Sequence, residues 1–244
     1  MKVLILAAGY GTRLKEIAKD LPKPLLPVND KPLMEYIIER VEHINELNEI
    51  IVVTNNKFYS QFNDWAQSMR YDVPINVIND GSNSPEERLG SIGDIHFALK
   101  HAGIDEDLLI VGGDNLFDFD LKSYSEFAQV HRDSVTIGVF DIHNLEEAKL
   151  FGVVALDESQ KITSFEEKPL RPKSSLIAMC FYYLPHTTFE LMDNYLNSTE
   201  KTDKAGDYIK WLCQKIDVYG FKFSGKWYDI GSIEAYQDAQ QNFR

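Results

Sequence analysis

The sequence predicts an α/β protein: a Rossmann-like, mostly parallel sheet with helices on both faces, plus a smaller sheet-rich lobe. Three features predict it. Early in the chain, short unbroken apolar runs alternate with stretches of helical period, as expected for parallel strands buried between covering helices. Later, strand-like runs follow one another with no helix between them. No Pro-, Gly- or Ser-rich stretch separates the two parts, so residues 1–244 read as one domain with lobes at about 1–140 and 141–244.

The chain opens on the apolar run Val3 to Leu6. It is short for a secretory core and is soon broken by Gly9-Tyr10-Gly11-Thr12-Arg13, so it predicts the first strand of a cytoplasmic protein. Leu33, Ile37, Val41 and Ile44 form one stripe and, with Pro32 in the first turn, predict a helix over Pro32 to Ile44. Ile50 to Val53 is a second buried strand. Phe58, Phe62, Trp65 and Met69 share a face and predict a helix, and Val73 to Ile78 predicts the next strand. Ser91 with Asp94 three residues on has the spacing of a capping box opening a helix to about Lys100. Leu108 to Val111 and Ser134 to Phe140 predict strands on either side of a helix at Phe119 to His131. Val153 to Leu156, Ile162 to Phe165, Leu176 to Leu184 and Val218 to Phe223 predict the later strands. Pro185 to Leu196, Ala205 to Cys213 and Ile233 to Asn242 predict the later helices.

Hydrophobic residues make up 44% and charged residues 26%, which excludes disorder as the main state. No apolar run nears the roughly 20 residues of a membrane-spanning helix. With 25 Lys and Arg against 38 Asp and Glu, the net charge is −13. That balance argues against a broad nucleic-acid surface but permits a local cationic cluster on a small phosphate ligand. Cys180 and Cys213 are too few and too far apart for a disulfide framework or a zinc site, and read as two buried thiols. The six histidines show no metal-binding spacing.

In parallel sheets ligands gather at the carboxyl ends of strands, here the turns after Leu6, Ile78 and Val111. The first turn is Ala7-Ala8-Gly9-Tyr10-Gly11-Thr12-Arg13-Leu14. Its small residues allow close backbone approach to phosphate oxygens, and Arg13 adds a fork of donors. It is not a dinucleotide fingerprint, because Leu14 stands where the third glycine is required. Gly220 to Lys226 imitates a P-loop, but Trp227 replaces the metal-binding hydroxyl, so this stretch predicts a hairpin turning at Ser224-Gly225. Ser91 directly follows Gly90, which is not the spacing of a nucleophile elbow. Lys23 lies between Pro22 and Pro24 on a stiff arm. Asp114, in Gly112-Gly113-Asp114-Asn115 past a strand end, and Asp229, in Trp227-Tyr228-Asp229-Ile230-Gly231, are candidate magnesium ligands.

In order along the chain, these residues resemble the sugar-1-phosphate nucleotidyltransferases, the glucose-1-phosphate thymidylyltransferase-like group. The resemblance rests on Leu6 to Leu14, Pro22-Lys23-Pro24-Leu25, Gly113-Asp114-Asn115, Phe151-Gly152-Val153-Val154, Phe165-Glu166-Glu167-Lys168-Pro169 and Trp227 to Gly231. It implies Mg2+-dependent transfer of a nucleoside monophosphate from a triphosphate, dTTP or UTP, to a sugar 1-phosphate, with pyrophosphate released. It implies that Leu6, Ala7, Ala8, Gly9, Gly11, Thr12 and Arg13 with Lys23 bind the nucleotide, and that Asn79, Asp80 and Gly90 lie where the base is read. Arg13, Lys23 and Asp114 would be catalytic, and Asp114 and Asp229 would hold Mg2+. Gly152, Glu167, Lys168 and Ala178 would take the sugar phosphate, so the first lobe serves the nucleotide and the second the acceptor.

The match departs at Ala178-Met179-Cys180-Phe181-Tyr182, where the family commonly has a small or hydroxyl residue followed by glycine. Met179 and Cys180 are therefore expected to narrow or reshape the sugar side. No acyltransferase-like repeats are expected to follow Arg244. The expected partners are the two substrates, with neither nucleic acid nor membrane, and homo-oligomerisation is left open. A phosphocholine-type cytidylyltransferase and a non-catalytic nucleotide-sugar sensor are the alternative readings. Gly152 with Glu167-Lys168 disfavours the first. The retention of Arg13, Lys23, Asp114 and Asp229 disfavours the second.

Overall fold

The computed structural model describes residues 1–198 and 203–243. The elements run β1 (Lys2–Leu6), α1 (Lys15–Ala18), β2 (Pro27–Val28), β3 (Lys31–Pro32), α2 (Leu33–Val41), β4 (Glu49–Thr54), α3 (Tyr59–Ser68) and β5 (Ile75–Asn79). Next come α4 (Gly90–His101), β6 (Leu108–Gly112), β7 (Asn115–Phe117), α5 (Lys122–Val130), β8 (Val135–Asp141) and α6 (Leu145–Ala148). The rest are β9 (Gly152–Leu156), β10 (Ile162–Glu167), β11 (Leu176–Leu184), α7 (Phe189–Leu196), α8 (Ala205–Leu212), β12 (Val218–Lys222), β13 (Trp227–Asp229) and α9 (Ile233–Asn242). Among the described residues no helix is long and apolar enough to cross a membrane.

One nine-stranded sheet runs through the molecule in the order β10-β9-β11-β6-β1-β4-β5, with β8 and β12 continuing from the other edge of β11. β6, β1, β4 and β5 are mutually parallel, whereas β11 lies antiparallel to β6, β8 and β9. Strand alternation sorts the side chains into two cores. Val3, Ile5, Ile50, Val52, Leu109 and Val111 face one layer with α2, α3, α5 and α9. Leu4, Ile51, Val53, Leu108 and Ile110 face the other with α4, α7 and α8. Both strand faces are dry, which is why these segments read as continuous apolar runs.

β11 is where the sheet forks. Ile177 and Ala178 pair with Val153 and Gly152 of β9, and Phe181 to Leu184 pair with β6. Between those two pairings lie Met179 and Cys180. The pleat turns Met179 into the first core, fully buried. Cys180 faces the opposite way, against Gly112. Cys180 and Cys213 are free thiols, each partly exposed rather than fully buried.

Two local expectations fail. Ser91 does not cap α4. It lies inside the helix, its hydroxyl donating to Asp203 O (3.0 Å) and accepting from Ala205 N (3.1 Å), while Asp94 is buried. Nor is there a hairpin at Ser224-Gly225. β12 pairs in parallel with β8, whereas β13 pairs antiparallel with β7, over a hundred residues earlier in the chain. A turn-like sequence marks the bend, but distant strands decide the pairing. The strands β2, β3 and β7 and the helices α1 and α6 were not legible in the sequence, being too short for a period to emerge.

Candidate active site

The carboxyl ends of β1, β4 and β6 lie side by side, and three segments meet above them. β1 runs into Ala7, whose N–H donates to Val53 O (2.9 Å), and Ala8, whose carbonyl accepts from Asn55 Nδ2 (2.9 Å). Gly11 then adopts φ +60°, the left-handed region that favours glycine, and the chain tightens into a 3-10 turn at Thr12–Leu14. β6 ends in Gly112-Gly113-Asp114. The Gly113 N–H donates to Leu6 O (2.9 Å). A Cβ at Gly113 would stand 2.7 Å from that same carbonyl and 3.1 Å from Pro24 Cγ. Only glycine lets β1, the Pro22–Lys23–Pro24 arm and the Asp114 turn approach this closely.

Neither a backbone carbonyl nor a proline ring can step aside. Gly113→Ala is therefore expected to cost about 1–3 kcal/mol of stability. It should also displace Lys23 from Asp114, and so lower turnover in protein that still melts cooperatively. Thermal melts and rates on the same preparation check this.

Lys23 Nζ stands 2.8 Å from Asp114 Oδ2. Asp229 arrives from β13, opposite Asn115 in the ladder, and the following Ile230 N–H donates to Asp114 O (2.9 Å). Arg13 Nη1 and Asp229 Oδ1 both lie beside Gly231. Burial alone would raise the Asp114 carboxyl, but Lys23, a backbone hydrogen bond and Arg13 together outweigh it and hold it below the usual carboxylate range. Asp229 goes the other way, pushed up to about 6 by burial and by the Asp114 charge, with Lys23, Arg13 and Lys168 opposing. Five residues distant in sequence thus share one electrostatic field.

Among the described residues, no group of three or more His, Cys, Asp or Glu could hold a metal ion. What the site offers is the carboxylate pair Asp114 and Asp229, and the raised Asp229 marks a surplus of negative charge that a divalent cation would relieve. Magnesium takes one or two protein carboxylates and completes its shell with phosphate oxygens and water, so this donor set fits it.

Beside the carboxylates opens a cavity of about 350 Å³ at the fork of the sheet, reached by Gly152, Glu167, Lys168 and Ala178. Gly152 pairs with Glu167 on one side and Ala178 on the other. A Cβ on Gly152 would meet Phe165 at 2.6 Å and Glu167 Oε2 at 3.3 Å. Burial pushes the Glu167 carboxyl up, with Lys168 opposing. Lys168 has φ +46°, a left-handed conformation unusual for a lysine and more so before a proline, and its N–H is held by Phe151 O (3.0 Å). Strain retained at a position of this kind is the mark of a constrained side chain.

Arg13, Lys23, Asp114, Asp229 and Lys168 are brought together, and Gly152, Glu167 and Ala178 line the adjoining cavity. Asn79, Asp80 and Gly90 do not line it. They lie at the end of β5 and the start of α4, where the Asn79 amide bonds to Asn56 and to Gly81 N, and Gly90 is covered by Asp203. Cys180 lines it, as the sequence reading expected, and several further lining residues were given no site role there: Tyr182, Phe151, Trp227 and Gly206. Tyr182 could have been found, since it shares the strand face of Ala178 and Cys180. Gly206 could not. The Glu167 carboxylate occupies the place its Cβ would take, and nothing near Gly206 in sequence signals that.

A loop of small residues, three cations and two carboxylates gathered at strand carboxyl ends define a site for phosphate chemistry on an α/β sheet. The chain belongs to the nucleotidyl transferase family, whose model matches residues 2–244. It is 29% identical over 232 residues to the bifunctional protein GlmU of Methanocaldococcus jannaschii, covering 95% of this chain and 51% of that protein. A GlmU from Methanococcus aeolicus gives 29% over 238 residues with the same coverage. The chain thus spans about half the length of the curated relatives it matches. Its fold is that of a UDP-glucose pyrophosphorylase solved with UDP-glucose (TM-score 0.82, 23% identity, 99% of this chain and 97% of that one). It is also that of a putative glucose-1-phosphate thymidylyltransferase from Bacillus anthracis solved with sucrose (TM-score 0.79, 22% identity, 99% and 94%).

Proposed function

We propose that this protein transfers a nucleoside monophosphate from dTTP or UTP to a sugar 1-phosphate. The observation that carries the reading is the convergence of Arg13, Lys23 and Lys168 on Asp114 and Asp229 at the mouth of the Gly152–Glu167 cavity. A phosphate oxygen of the sugar 1-phosphate attacks the α-phosphorus, the bond from that phosphorus to the β-phosphate oxygen breaks, and pyrophosphate leaves. No protein nucleophile is required; the work is positioning and charge stabilisation.

The backbone at Gly9 and Gly11 and the Arg13 guanidinium hold the triphosphate. Lys23 exchanges Asp114 for the reacting α-phosphate. Lys168 holds the acceptor's phosphate, and Glu167 accepts from sugar hydroxyls. Asp114 and Asp229 hold magnesium, which when bound neutralises charge on the phosphate oxygens. A nucleotide-sugar sensor would have no need of Lys23 on the reacting side of a carboxylate pair.

The decisive experiment is a panel of nucleoside triphosphates against sugar 1-phosphates and phosphocholine, followed by pyrophosphate release. Turnover confined to phosphocholine with CTP, or none with any pair, overturns the reading. Within it, Lys168→Ala is expected to weaken the sugar 1-phosphate by about ten-fold or more, the loss of one charge-assisted hydrogen bond. Triphosphate affinity should hold. Separate calorimetric titrations of the two substrates check the division.

A further inference from the structure

Ser91 stands at the start of α4, beside Gly90, yet both hydrogen bonds of its hydroxyl leave the first lobe. The proton goes to Asp203 O (3.0 Å), and the oxygen accepts from the Ala205 N–H (3.1 Å), 112 and 114 residues further along the chain. A hydroxyl has one proton to give, so this one is not free to read a base. Gly90 makes the approach possible: it adopts φ +75°, and a Cβ there would collide with the Asp203 side chain.

The bond from Ala205 caps a helix from outside. Ala205 opens α8, and the N–H groups of a first turn have no partner within their own helix. Such a turn is usually capped by the side chain just before it, through an oxygen acceptor. Here that position holds Lys204, whose ammonium has none to offer. Ser91 supplies the acceptor across the boundary between the lobes. The next residue, Gly206, meets the Glu167 carboxylate, which fills the space a Cβ would take. Helix α8 packs on α4 and on β10, the strand that ends in Glu167. Ser91, Ala205, Gly206 and Glu167 all line the cavity beside the carboxylate pair.

We propose that Ser91 is a positioning residue for the acceptor: by capping α8 it holds Gly206 against Glu167, and so sets where that carboxylate meets the sugar hydroxyls. This rests on the functional reading above. Glu167 is half-buried at the end of its strand, and a glutamate is rich in rotamers, so its carboxylate needs a wall to stay in one place. Gly206 is that wall. It comes close because it has no Cβ, and it stays close only while the first turn of α8 is anchored. Without the hydroxyl, the Ala205 N–H loses its acceptor, the turn frays, and Glu167 gains rotamers that face away from the sugar. That sequence of contacts does not pass through the Gly9-to-Arg13 loop, so the triphosphate is held as before.

The test uses the full chain with magnesium, with dTTP and UTP as donors and glucose, galactose and N-acetylglucosamine 1-phosphates as acceptors, followed by pyrophosphate release. With the pair that wild type uses best, Ser91→Ala should raise the KM of the sugar 1-phosphate about ten-fold, as for two lost hydrogen bonds. The fall in kcat should be under about three-fold, and the KM of the triphosphate should stay within about two-fold. A double-mutant cycle separates positioning from a general loosening of the fold. In a Glu167→Ala background, adding Ser91→Ala should leave the acceptor kcat/KM within about two-fold, because the group it positions is gone. Losses that simply multiply in the double variant overturn the proposal, as does an acceptor KM that Ser91→Ala leaves unchanged. A raised triphosphate KM, or a changed preference between dTTP and UTP, overturns it too and puts the hydroxyl on the base. Wild type that turns over none of these pairs overturns the functional reading, and the positioning role with it.

Discussion

Lys23→Ala is expected to lower kcat by about 10²–10³ with every acceptor tried, the range for losing one preorganised donor at a developing charge. Lys23 Nζ sits 2.8 Å from Asp114 on a proline-braced 3-10 turn, so the cation is aimed before any substrate arrives. Its charge also holds the Asp114 carboxyl down; without it, burial acts on Asp114 opposed by a backbone hydrogen bond and by Arg13. The variant therefore loses a phosphate ligand and disturbs a metal ligand together. Lys23→Arg restores the charge on a bulkier, planar head and should recover a part of the rate. Pyrophosphate release with several acceptors checks the result, and a kcat within two-fold of wild type (about 0.4 kcal/mol) would remove Lys23 from the reaction.

Asp114→Asn and Asp229→Asn should each lower the rate about as much, and a chelator should do the same to the wild type, reversibly on adding magnesium. Full wild-type activity in excess chelator would sink the metal assignment. The stability arm has its own sign. The Asp229 carboxyl is raised from its ordinary value near 3.8 to about 6. A raised acid contributes stability below its unfolded value and loses that contribution as pH climbs through the folded one. Metal-free wild type should therefore lose Tm between about pH 4 and pH 6 relative to Asp229→Asn. At neutral pH the asparagine variant should be the more stable and the less active protein, a trade common at functional sites. Melts across that pH range in chelator check it.

The strands β1, β4 and β6 were legible because both faces of each are buried, which writes an unbroken apolar word into five or six residues. Helices with a stripe such as Leu33, Ile37 and Val41 were equally plain. Pairings set from far away were not. β13 reads as the second arm of a hairpin until Asn115, Leu116 and Phe117 claim it. Ser91 and Asp94 have capping spacing, but α8 takes the serine and the aspartate is buried. The cations and carboxylates were visible as types in suggestive turns. Their meeting, as between Lys23 and Asp114 ninety-one residues apart, depends on a backbone contact only Gly113 allows.

The fork at β11 bears on how the chain is made. A ribosome releases β6 and β8 well before Leu176–Leu184, the strand that lies between them in the sheet. At about 5–20 residues per second, the edges of both strands wait for seconds with their N–H and C=O groups unclaimed. Open strand edges recruit whatever strand is nearest, including one from a neighbouring nascent chain. The strand that carries Ala178 into the Gly152–Glu167 cavity is thus also the one that covers the facing edges of β6 and β8, and slow codons ahead of it would prolong the interval in which those edges are prone to aggregate.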